Sequence, residues 1–243
     1  MRAEIPALAA FVLAAFAAGA APATVTDYGE CASLAVSDPE AAINEARAWR
    51  EETGAIGARH CEAIALVELG AYRAAAEALG DVANAPELLA EERAAVLVQS
   101  AGLWTEAGED ARAAAALDAA VRVDPGPGAL IERAAARVAA GDLARAASDL
   151  DGAVARAPNS AEALTLRAAV KRRSGDGTGA RADALKAVEI EPKGGAGWFE
   201  LGMAERALGL DDGARRSLLK AIDVEPGGPV ATLARRALQD MDG

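Results

Sequence analysis

Histidine is almost missing from this chain: His60 is the only one in 243 residues. Catalytic sets built on an imidazole base, and metal centres with several histidine ligands, therefore have almost nothing to draw on. His60 adjoins Cys61 and Glu62, no further ligands follow at metal-binding spacing, and it reads as a helix-surface residue. Cysteine is equally scarce. Cys31 and Cys61 are the only two, which excludes a paired-cysteine zinc pattern and leaves one possible disulfide. Aromatic residues make up 3% of the chain, so the interior has to be packed by alanine and leucine. Of 25 basic residues only Lys171, Lys186, Lys193 and Lys220 are lysines, and the net charge of −12 argues against nucleic acid or anionic lipid as the main partner. No nucleophile elbow is present. Gly175-Asp-Gly-Thr-Gly179 superficially resembles a phosphate-cradling loop, but no strand precedes it and it reads as a turn between helices. The remaining acids read as solvated helix faces, and neither an enzyme nor a cofactor is expected.

What the chain has is a period. Pro125, Pro158, Pro192 and Pro226 stand 33, 34 and 34 residues apart, each closing a segment of the same pattern. With Gly195 as position 1, the last segment has Trp198 at 4, Leu201 at 7, Gly202 at 8, Gly209 at 15, Ala214 at 20, Leu218 at 24, Ala221 at 27 and Pro226 at 32. Segments beginning at Ala161, Pro127 and Ala94 carry the corresponding landmarks. Small residues at 8, 20 and 27 allow close helix approach, glycine at 15 accepts the left-handed turn after a first helix, and proline at 32 ends a second. Between them apolar residues recur at three- and four-residue spacing, as amphipathic helices require.

This pattern resembles the tetratricopeptide repeat. The resemblance implies an all-α, right-handed α-solenoid of helical hairpins with a C-terminal capping helix. Residues 94–226 form four repeats, residues 24–93 a degenerate helical start, and residues 227–243 the cap. Upstream, a unit from Ile56 keeps only part of the pattern, and Asp38-Pro39 opens a helix to about Arg50, after a short one over Tyr28 to Ala35. In the cap, Val230, Leu233 and Leu238 are expected to face the array. The family's usual aromatic at position 11 is replaced by Arg137, Lys171 or Glu205. The resemblance further implies a concave groove lined by positions 2, 5, 9, 12 and 13. Carried onto this chain, these give Ile131, Ala135, Val138 and Ala139, then Glu162, Thr165, Ala169, Arg172 and Arg173, then Phe199, Met203 and Arg206. The expectation is an apolar strip beside a basic cluster, binding a peptide segment with an acidic group. The implied function is a non-enzymatic scaffold or adaptor for a protein or peptide partner.

The first 23 residues differ from the rest. Arg2, an apolar run over residues 5–21 and the small-residue site Ala21-Pro22-Ala23 resemble a secretory signal peptide cleaved near Ala23. The alternative is a retained inner-membrane anchor, which would make the protein a structural subunit of an envelope assembly or secretion complex. Arginine far outnumbers lysine and alanine is abundant, as in a GC-rich bacterial genome, so the expected address is the periplasm. Cleavage would leave a mature chain without membrane binding. In that oxidising compartment Cys31 and Cys61, 30 residues apart, are expected to pair.

Overall fold

The computed structural model describes residues 25–242. The predicted signal segment lies outside the described residues. Among those described, all regular structure is helical and no helix is long and apolar enough to cross a membrane. The degenerate start comprises α1 (Tyr28–Ser37), α2 (Pro39–Thr53), α3 (Ile56–Glu68) and α4 (Tyr72–Ala83). Four hairpins follow: α5 (Ala90–Glu106) with α6 (Asp110–Val123), α7 (Pro127–Ala139) with α8 (Leu143–Arg156), α9 (Ala161–Arg173) with α10 (Gly177–Ile190), and α11 (Gly195–Ala207) with α12 (Asp211–Val224). The last helix is α13 (Pro229–Asp242). α5 begins four residues before Ala94, held by a hydrogen bond from the Leu89 amide to the Glu92 carboxylate.

Local chemistry explains the turns. Gly70, Gly108, Gly141, Gly175 and Gly209, all at position 15, have φ between 70° and 90°. In each, the following amide reaches back to the first-helix carbonyl five residues earlier, as Asp142 does to Arg137 and Leu210 to Glu205. A left-handed residue is needed to close that bond, and only glycine adopts it without Cβ strain. Asp142 and Asp176 then cap the second helices through the amides of Arg145 and Gly179, which is the role of the glycine-rich stretch at 175–179.

From α5 onward each odd-numbered helix touches the next odd-numbered one, whereas even-numbered helices touch only odd-numbered ones. The odd-numbered helices therefore form the crowded inner, concave row. The small landmark residues lie where helices cross, with Ala134, Ala146, Ala153, Ala168, Ala180 and Ala214 fully buried. Gly202, at position 8, is closely packed. A Cβ there would stand 2.8 Å from Leu218 Cγ and 3.1 Å from the Ala214 carbonyl, and Leu218 has no exposed surface into which to retreat. Gly202→Ala is expected to destabilise the protein by about 1 kcal/mol, because overpacking at roughly 1 to 3 kcal/mol outweighs the roughly 1 kcal/mol helix-propensity gain. Denaturant unfolding measures this, and a stabilised variant would show that the Leu218 contact is soft.

The position-11 charges are structural. Arg137 and Lys171 reach Asp149 and Asp183 at 2.6 and 2.8 Å, and Glu205 accepts from the Ser217 hydroxyl at 2.8 Å. Asp149, Asp183 and Ser217 all occupy position 23, and all three are buried. Arg133 and Arg167, at position 7, fork onto the same aspartates and reach back to Asp118 and Asp151 of the preceding hairpin at 3.0 and 3.1 Å. The expectation that alanine and leucine pack the seams therefore holds only in part. Hydrogen-bonded ion pairs occupy part of the space that aromatic rings leave empty.

A disulfide joins Cys31 on α1 to Cys61 on α3, with their Cα atoms 6.0 Å apart. His60 is half-buried beside it and its Nδ1 lies 2.7 Å from the Tyr28 hydroxyl.

Candidate functional site

The concave row opens into a cavity of about 580 Å³ between α7, α9, α11 and α13. Position 5 of successive helices supplies its spine. Ile131, Thr165 and Phe199 line it, and Leu233 on α13 continues the series at the same 34-residue interval. α13 is therefore placed as the first helix of a further hairpin, in contact with α11 as well as α12. Its buried face is Ala231, Ala234 and Ala237, while Leu233 is 51% exposed. The cap expectation needs correction here: Val230 and Leu238 pack against the array, but Leu233 projects to the cavity. Three alanines at three-residue spacing let α13 lie close to its neighbours, which turns the leucine outward.

Of the other groove residues carried over from the family pattern, Ala135, Glu162 and Ala169 also line this cavity. Val138 instead packs against the cluster of Ala134, Ala146, Leu150 and Val170, and Met203 against that of Leu218, Ala221 and Ala234. Of the expected basic cluster, only Arg172 is neutralised by a carboxylate among the described residues. Arg172 forks onto Glu200 at 3.0 and 3.3 Å, Arg173 donates to the Val138 carbonyl at 3.4 Å, and Arg206 donates to the Asp240 carbonyl at 3.5 Å. The sequence pattern places the three at inward positions but cannot show that each has a partner on a neighbouring helix.

Sequence reasoning missed Glu132, Glu191, Glu225 and Leu166, which line the same cavity. Glu191 and Glu225 both fall at position 31, just before the terminal prolines, and that recurrence was readable. The Glu225 carboxylate accepts from the Gly195 amide at 3.2 Å, so the end of α12 caps the start of α11. A Cβ at position 195 would meet that carboxylate at 3.0 to 3.3 Å. The arrangement can hold an elongated ligand against an apolar floor. Among the described residues, no group of three or more histidine, cysteine or acidic side chains is placed to hold a metal.

Solved structures share this architecture. A tetratricopeptide repeat protein from Parabacteroides merdae aligns over 77% of this chain and 73% of its own, with a TM-score of 0.65 at 19% identity. The fold is the tetratricopeptide-repeat solenoid. YrrB, a tetratricopeptide protein with an unusual peptide-binding site, aligns over 79% of this chain and 97% of its own at a TM-score of 0.60 and 16% identity. MamA covers 68% of this chain and 94% of its own, with a TM-score of 0.57 at 21% identity. No family model matches the sequence, and none of the curated proteins does. In this tetratricopeptide solenoid, the position-11 aromatic has given way to the charged seams described above.

Proposed function

We infer that the protein is a non-enzymatic interaction scaffold that receives a peptide segment of a partner protein in the concave cavity. One observation carries the reading: the position-5 row Ile131, Thr165, Phe199 and Leu233 runs across four helices into one open cavity, ending on a half-exposed leucine. Large apolar side chains held on rigid helices around a concavity favour a ligand that covers them. The peptide-binding site named for YrrB gives the same fold a precedent.

The address we assign is the periplasm, after cleavage near Ala23. The apolar run at residues 5–21 and the Cys31–Cys61 disulfide both support an exported chain.

A photoreactive residue at position 233, compared with one at Leu219, which is slightly more exposed, tests the cavity in living cells. Discrete protein adducts are expected from 233 and not from 219; adducts from both alike, or from neither, would overturn the groove reading. The same cells report the address. A chain lacking residues 1–23 in the soluble envelope fraction is expected, and a full-length chain in the membrane fraction would favour the anchored subunit instead.

A further inference from the structure

We propose that the cavity selects a cationic segment, one that sets an arginine or lysine beside an apolar side chain. This rests on the groove reading above and adds the chemistry of the ligand. It also reverses the sign expected from the sequence, where an acidic group was to meet the arginines.

The charges bordering the cavity decide the matter. Among the described residues, five glutamates line it and no arginine, lysine or histidine does. Glu200 is buried and carries the Arg172 fork, so that pair is internally neutral. Glu132, Glu162 and Glu191 are exposed, and among the described residues none of them has a cationic partner. Among the described residues the Glu225 carboxylate bonds only the Gly195 amide, so no described side chain compensates its charge. Four acidic groups thus stand around one opening, contributed by α7, α9 and the segments following α10 and α12. Like charges collected around low-dielectric walls focus a negative potential into the concavity. A guanidinium matches such a rim through forked hydrogen bonds, whereas an acidic segment meets repulsion from every side.

The floor supplies the second requirement. Leu166, Phe199 and Leu233 offer partly exposed apolar surface inside the acidic ring, which a small hydrated cation cannot cover. The occupant that satisfies both is a polypeptide segment with adjacent cationic and apolar side chains.

Fluorescence anisotropy on the purified full chain tests this with three synthetic peptides of equal length: alternating leucine and arginine, leucine and glutamate, or serine and arginine. The leucine–arginine peptide is expected to bind, and to weaken as salt is raised. In Glu132→Gln/Glu162→Gln/Glu191→Gln its affinity is expected to fall about tenfold or more. That variant leaves most of the chain's net charge of −12 in place, so non-specific attraction to an acidic protein would hardly change. The serine–arginine peptide is expected to bind at least about tenfold more weakly, since it leaves the floor uncovered. Equal binding of the leucine–glutamate peptide, indifference to the triple variant, or equal binding of the serine–arginine peptide would each overturn the proposal. Leu233→Asp separates this failure from that of the parent reading. If peptides bind irrespective of charge but are lost in Leu233→Asp, the groove stands and only its cation preference falls. If no peptide responds to Leu233→Asp, the groove reading falls too.

Discussion

Asp183→Ala is expected to destabilise the solenoid by about 3 kcal/mol, the lower end of what breaking a buried ion pair costs. For a chain of this size that corresponds to a fall in Tm of about 6 to 12 °C. Asp183 is 7% exposed and receives both arms of Arg167 at 2.7 Å and the Lys171 ammonium at 2.8 Å. Removing it leaves two cations in a seam with only Asp151, itself largely in solvent, to answer them. The variant is costly because it strands charge, not because the pair is intrinsically strong. Replacing Arg167, Lys171 and Asp183 together by apolar side chains of similar volume should therefore be nearly neutral.

The same seam sets a pH dependence. Burial alone would push the Asp183 carboxyl up, but hydrogen bonds from Arg167 and Lys171, then their charges, bring it below its ordinary value of 3.8. Arg167 is raised in turn, chiefly by its hydrogen bond to Asp183 and against the effect of its burial. A group whose folded value is depressed contributes stability above its unfolded value and loses it as pH falls through the folded one. The difference between wild type and Asp183→Ala should thus be constant near neutral pH and shrink below 3.8. Denaturant midpoints measured across that range decide it, and a difference unchanged in acid would rule out the ion-pair account.

Removing the disulfide, as Cys31→Ala/Cys61→Ala or by reduction, is expected to cost roughly 3 to 4 kcal/mol, the loop-closure term for a separation of this size. The bond ties α1 to α3 across 30 residues. The cluster around it is mostly alanine with Val25 and Trp49, edged by the half-buried Leu34, Ile43 and Ile64, and the Arg47 and Arg50 bridges to Glu62 tie α2 to α3 but not α1. Loss should be local. Hydrogen exchange is expected to accelerate in α1 and α2 while α7 to α12, packed by their own seams, keep their protection. Uniform acceleration along the chain would show that the bond supports the whole stack, and no acceleration would show that it is redundant.

How far each feature was legible follows from the range of the forces behind it. Gly209, Pro226 and Ala214 act on their own backbone or on the helix next in sequence, and their consequences are steric. The periodic pattern therefore already determined the hairpins, their turns and the inward row through Ile131, Thr165 and Phe199. Extending that period by one step would also have placed Leu233 in it. Charge is different, because its effect depends on which partner comes within reach. Arg172 sits at an inward position by sequence, yet Glu200, 28 residues later on the adjacent α11, takes its fork. Glu132, Glu162, Glu191 and Glu225 share one opening only because the inner helices converge on it. By itself the sequence determined a curved stack of helical hairpins, since short-range sterics repeat with the chain. The tertiary structure alone decided the sign of its cavity, since helix packing chooses which charges neutralise each other and which stay unpaired.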